Sequence, residues 1–177
     1  ASGSAAWCSP GVIPACRVTR RAPRSCGPYA AIVVIDSTGE WSRGTEEGDL
    51  DAYLVDFRAG GYPLKRVVHA RCAGCGGSIF DMLIDDEQGY AERQCTSCKA
   101  RFVMLDSAEV GDEADSDVAA CPCGNETFEI AVGFAVRADG DVRWVSIALR
   151  CVRDGVLGVY TDWKIDYSPT AQLFDQV

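Results

Sequence analysis

Apolar positions alternate with polar ones along the second half of the chain and follow a helical period once, near its start. Phe128, Ile130, Val132, Phe134 and Val136 alternate strictly, which places their side chains on one face of a strand. Asp139-Gly140 marks the tip of a hairpin, so residues 142–150 return beside the first strand, and 156–160 supply a third. A shorter set precedes it: residues 78–84, 90–94 and 102–105 read as strands, with a polar loop at 85–89. Leu50, Tyr53, Leu54 and Phe57 recur at i, i+3, i+4 and i+7, one apolar face of a helix. Thr45-Glu46-Glu47 offers its cap and first-turn acids, and Gly60, Gly61 and Pro63 end it. So short a face is expected to be packing surface. Residues 32–35 read as a strand before a turn at 36–39, and Val67-Val68 as a strand leading into Cys72.

Ten cysteines fall among the 177 residues, and their spacing decides what they mean. Cys72-Ala-Gly-Cys75 and Cys95-Thr-Ser-Cys98 form a CxxC–x19–CxxC array, the spacing of a four-thiolate zinc site. The turn between two such cysteines directs both sulfurs inward, and its N–H groups stabilise thiolate charge. Disulfides and an iron or redox site are the competing readings. Zinc is preferred because two close pairs make two halves of one tetrahedron, whereas disulfide frameworks suit secreted chains. Gly76-Gly77 follows the first pair at a sharp turn, but Lys99-Ala100 follows the second, where Gly would be usual.

The pattern then repeats. Ala70-Arg-Cys-Ala-Gly-Cys-Gly-Gly-Ser-Ile-Phe80 matches Ala119-Ala-Cys-Pro-Cys-Gly-Asn-Glu-Thr-Phe128, and Cys151-Val-Arg-Asp154 falls where Cys95-Thr-Ser-Cys98 fell. Cys121, Cys123, Cys151 and Asp154 are therefore candidates for a second zinc site, with three sulfurs and a carboxylate, a donor that zinc accepts. The alternative is a remnant that lost its metal while its longer hairpins kept a core. Shortening CxxC to CxC is expected to strain closure, which inclines the reading towards an empty second site.

These motifs resemble zinc-ribbon proteins, and more narrowly small uncharacterised bacterial proteins that carry one intact and one degenerate ribbon behind a short α/β lead-in. The resemblance covers residues 69–105 and, more loosely, 119–160. It implies zinc binding and a mainly β fold of two tandem antiparallel modules. The organisation it suggests is a disordered basic extension (1–28), a strand-helix lead-in (29–68), a zinc ribbon (69–106), an acidic linker (107–118) and a degenerate second ribbon with a C-terminal tail (119–168). Zinc ribbons serve many roles, so the fold does not choose among them.

Charge narrows the partners. The net charge is −9, yet Arg17, Arg20, Arg21 and Arg24 give residues 1–28 a charge of +4, leaving the other 149 residues at −13. So acidic a body repels a phosphate backbone unless its cations cluster. A protein partner, met through the acidic surface or the aromatics Trp163 and Tyr167, is the first expectation, although those aromatics are expected mainly to pack on the sheet. A nucleic-acid-associated regulator, using residues 17–24 with Lys65, Arg66 and Arg71, is the alternative. Residues 1–28 also hold Cys8, Cys16 and Cys26, which lack pair spacing and are assigned no metal.

No apolar run approaches the ~20 residues of a membrane helix, so no membrane is expected. Without a secretion signal, thiol-rich sites point to a reducing compartment, the cytoplasm. The chain shows no Gly-rich phosphate loop, no GxSxG and no histidine–carboxylate set, so no catalytic residue is assigned and a non-enzymatic role is expected. His69 is the single histidine and reads as a strand residue.

Overall fold

The backbone N–H and C=O groups of each hairpin's outer strands need partners, and here the two hairpin sets supply them to one another. The computed structural model describes residues 35–177. The expectations for residues 1–28, including the 17–24 cations, and for strand residues 32–34 lie outside the described residues. Helix α1 (Asp49–Phe57) is followed by strands β1 (Arg66–His69), β2 (Phe80–Asp85), β3 (Tyr90–Cys95), β4 (Arg101–Val103), β5 (Asp117–Val118), β6 (Thr127–Val136), β7 (Val142–Cys151) and β8 (Leu157–Lys164).

All eight strands join one antiparallel sheet, in the order β4-β3-β2-β6-β7-β8. Each expected hairpin forms, and the fold is mainly β with one short helix. The two expected tandem modules do not stand apart: β2 and β6 pair through Phe80↔Phe128 and Asp81↔Thr127, so both hairpin sets share one sheet. Beyond that junction, β1 takes the rest of the β6 edge, with Val68 opposite Val132, and β5 takes the β2 edge, with Val118 opposite Leu83.

The arrangement is close to two-fold. Phe80 stands opposite Cys95 and Phe128 opposite Cys151, while the Ala70 N–H donates to Ile130 O and the Ala119 N–H to Met82 O. Each of these pairs has its counterpart at the aligned position of the other hairpin set.

The alternation of β6 works as read. Phe128, Ile130, Val132 and Phe134 lie fully buried in the main core, with Met82, Val145, Ile147 and Leu149. The opposite face of β6 carries the small residues Ala131, Gly133 and Ala135, and α1 lies over it through Leu50, Tyr53 and Leu54. Gly133 makes the approach possible, because a Cβ there would lie 2.7 Å from Leu64 Cδ1 and 3.2 Å from Leu54 Cδ2. The α1 cap differs from expectation. Thr45 is not the capping side chain; the buried Asp49 carboxylate instead reaches back to accept the N–H groups of Thr45 (2.6 Å) and Glu46 (3.1 Å).

The acidic stretch 107–118 contributes backbone and a buried hydroxyl. Ser107 donates to Ala91 O and accepts the Ala91 N–H, tying the segment to β3. Trp163 packs on Gly89 and donates its indole N–H to Asp106 at 3.0 Å, whereas Tyr167 stays exposed. The tail then buries Leu173 and Val177 in the main core. No helix among the described residues is long and apolar enough to cross a membrane.

Candidate metal centres

Two turns build each centre, and their hydrogen bonds recur. In the first, the Cys72 N–H donates to Gly77 O (2.8 Å) and the Gly76 N–H to Cys72 O (2.7 Å). The second has Cys121 to Asn125 O and Gly124 to Cys121 O, both 2.8 Å. The later turns match as closely: Cys95 to Ala100 O and Lys99 to Cys95 O, then Cys151 to Val156 O and Gly155 to Cys151 O, all at 2.9 Å. Lys99 and Gly155 occupy the same position with φ of +62° and +73°. The residue that broke the glycine pattern thus adopts the glycine conformation, at the steric cost of a left-handed side-chain-bearing residue.

The structure brings Cys72, Cys75, Cys95 and Cys98 together, with all four sulfurs within 4.8 Å of one another. Cys72 and Cys98 are 3.4 Å apart and Cys75 and Cys95 3.5 Å. Zn–S bonds of ~2.3 Å give a tetrahedral edge of about 3.8 Å, whereas a disulfide needs about 2.05 Å. The described cysteines are free thiols at metal-ligand spacing.

Cys121, Cys123, Cys151 and Asp154 also converge within 4.8 Å. Cys123 lies 3.7 Å from Cys151, and Cys121 lies 3.5 Å from Asp154 Oδ1. The shortened CxC pair therefore still closes a four-ligand cluster. The second residue after it differs between the two turns: at the place of Gly77, where a Cβ would press on Cys95 and Cys75 at 3.2 and 3.3 Å, stands Asn125. Its amide donates to Cys151 Sγ at 3.3 Å and to Thr127 O at 2.6 Å, tying the turn to the cluster. This cluster is also the more enclosed one. Cys75 and Cys98 are exposed, whereas Cys123 and Asp154 are half-buried.

Sulfurs this close cannot all be charged without a cation, so their proton affinities split. The N–H groups of Cys98 and Ser97 lower Cys95 to about 6. Cys75 has a favourable N–H from Gly77, but its three sulfur neighbours outweigh it and push it up to about 12. Burial pushes Cys121 up. Burial also works against charge on Asp154, yet hydrogen bonds with Cys151 and Arg43 prevail and hold it at about 2. A carboxylate so firmly ionised is a competent metal donor.

Three further residues serve these clusters and were not singled out from sequence. Arg43 Nη1 pairs with Asp154 Oδ2 at 2.8 Å and donates to the Asp154 carbonyl at 2.8 Å. Asn125 supports Cys151. Arg93, 5% exposed, lies between the Phe80 and Phe102 rings at 4.6 and 4.9 Å, beside the first centre. Burial disfavours its charge and the Cys72 and Cys95 sulfurs support it, as expected of a counter-ion to an anionic thiolate cluster. The alignment of Asn125 with Gly77 and the i, i+2 spacing of Ala91, Arg93 and Cys95 were signals in the sequence; Arg43 left none.

The remaining candidates lie elsewhere. His69 sits on β1, its Nε2 2.6 Å from Asp51 Oδ1, outside both clusters. Arg71 is held by Glu47 at 2.7 Å, and Arg66 lies 4.5 Å over the Phe174 ring. Comparison of the chain with protein-family models, curated proteins and solved structures returned no significant match.

Proposed function

We propose that the chain is a zinc-binding protein with two structural centres, acting as a non-enzymatic interaction or accessory protein in the cytoplasm. The observation that carries the reading is the convergence of two four-donor sets on one repeated hairpin framework. Each set supplies four protein ligands, the closed form of a structural site, while catalytic zinc keeps an open position. Zinc suits both clusters: it accepts four sulfurs or three sulfurs and a carboxylate without a preferred electronic geometry. Bound there, zinc would neutralise clustered thiolates and cross-link turns far apart in sequence. Cys72, Cys75, Cys95 and Cys98 would hold the first ion, and Cys121, Cys123, Cys151 and Asp154 the second.

The net charge of −13 outside residues 1–28 supports a protein partner over nucleic acid, although Lys65, Arg66 and Arg71 are all exposed. Elemental analysis with native mass spectrometry tests the metal reading. Two zinc ions per chain are expected, with one remaining in Cys75→Ser and in Cys121→Ser. One ion in the wild type, lost in Cys75→Ser, would overturn the second centre; no zinc would overturn both.

A further inference from the structure

We propose that metal bound at the second centre fastens the lead-in segment onto the sheet, with Asp154 as the joint between them. This rests on the reading of that centre as a zinc site. A cysteine has one donor atom, whereas a carboxylate has two, and Asp154 uses them in different directions. Its Oδ1 faces Cys121 Sγ within the cluster, where a metal would sit. Its Oδ2 receives the Arg43 guanidinium, which also grips the Asp154 carbonyl.

Arg43 belongs to a segment stitched to the same turn by backbone. The Gly44 N–H donates to Gly155 O and the Leu157 N–H to Ser42 O, each at 2.8 Å, while Arg43 bridges Val156 on one side and Asp36 on the other. Arg150 adds donations to Gly44 O and Thr45 O. The two segments approach so closely at Gly155 that a Cβ there would lie 2.3 Å from Gly44 O. Immediately afterwards Asp49 closes the loop into α1, which covers the β6–β8 face.

A metal held by Oδ1 fixes the carboxylate in the orientation that presents Oδ2 to Arg43. Without the metal, Oδ1 would keep only the Val156 N–H (3.2 Å) and the Cys121 thiol as partners, and Oδ2 would be held less firmly for Arg43. The first centre has Cys98 at the equivalent position and no such second arm. The Asp-for-Cys exchange therefore gives the second centre a mechanical output that four sulfurs would lack. Coupling of this kind is reciprocal: whatever factor the metal adds to docking of residues 42–45, the docking adds to metal retention.

Amide hydrogen exchange on the full chain, with zinc and after chelation, tests this together with zinc release to a competing chelator. Chelation should speed exchange at Gly44 and Leu157 by about tenfold or more, as loss of a charge-assisted hydrogen bond implies. Arg43→Ala should keep two zinc ions in excess metal, show that faster exchange even when loaded, and hold the second zinc more weakly against a competing chelator by a similar factor at equilibrium, with the first unaffected. Arg43→Lys should recover part of both effects. Asp154→Cys should bind two zinc ions while exchanging like Arg43→Ala. Two bound ions with unchanged Gly44 and Leu157 protection in both Arg43→Ala and Asp154→Cys would overturn the joint alone. A wild-type chain that never takes up a second zinc would overturn the metal reading beneath it.

Discussion

Phe80 and Phe128 stand directly opposite one another where β2 meets β6, each the first core residue of its own hairpin set and each paired on its other side with a cysteine ligand candidate. Both are fully buried. Across the sheet the row runs Cys95, Phe80, Phe128, Cys151, so the two centres flank a shared apolar junction. Whatever disturbs one centre is felt at one edge of that junction.

Loss of the first centre should therefore be local but deep. Cys75→Ser, or chelation at neutral pH, should free the amides of β2–β4 while β6–β8 keep most of their protection. Zinc contributes about 10–16 kcal/mol of apparent binding free energy to small zinc-finger peptides, more than the short β2–β4 core replaces. Residue-resolved hydrogen exchange checks this; unchanged protection over 80–103 would remove the structural role of the metal.

Lys99 and Gly155 offer a paired test of the turns. Gly155→Ala places a Cβ into Gly44 O with φ at +73°, and should cost at least about 2 kcal/mol. Lys99→Gly relieves a side chain held at φ +62° and should raise stability by about 0.5–1 kcal/mol with zinc content unchanged. Denaturant melts of the zinc-loaded proteins give both signs.

The covering helix should depend on its buried leucines. Leu54 is fully buried against the small-residue face of β6, so Leu54→Ala leaves a cavity over Gly133 and should cost about 2–5 kcal/mol. Val55→Ala, one position on and exposed, should change little. Equal losses in both variants would mean that α1 does not pack through this face.

Strong acid should loosen the tail. Asp141 accepts hydrogen bonds from the Ser168 hydroxyl and from the Thr170 N–H and hydroxyl, which lower its pKa below the ordinary carboxylate value. A group with a depressed folded pKa stabilises fully above its unfolded value and ceases to as pH falls through the folded one. Protection of the Val142 amide, which donates to Thr170 Oγ1 at 2.6 Å, should fall across that acid range. In Asp141→Asn it should be lower from the start and vary less with pH there.

Local pattern made much of this molecule legible. Cysteine spacing located both ligand sets, the repeat placed Asp154 at the position of Cys98, and the period of Leu50, Tyr53, Leu54 and Phe57 identified the buried helical face. Long-range pairing escaped, because strand partners such as Phe80 and Phe128 leave no mark at fixed spacing. Arg43 meets Asp154 across 111 positions, and nothing near Arg43 distinguishes it from a solvated surface cation. The acidic stretch hid β5 for a related reason: Asp117 and Val118 join the sheet through backbone atoms, which side-chain polarity does not report. The Asp49 cap was missed because a carboxylate inside the helix reached backwards, where Thr45 ahead of it was the customary choice.

The near two-fold relation around Phe80 and Phe128 carries one more consequence. The antiparallel register at this junction places like positions of the two halves opposite one another, the relation that two-fold symmetry gives two identical chains, within a single polypeptide. Covalent linkage frees the halves from having to be alike. One half keeps a four-sulfur grip, and the other can trade a sulfur for a carboxylate and recruit an arginine from outside the repeat. Two separate copies of one short chain could not divide the labour that way.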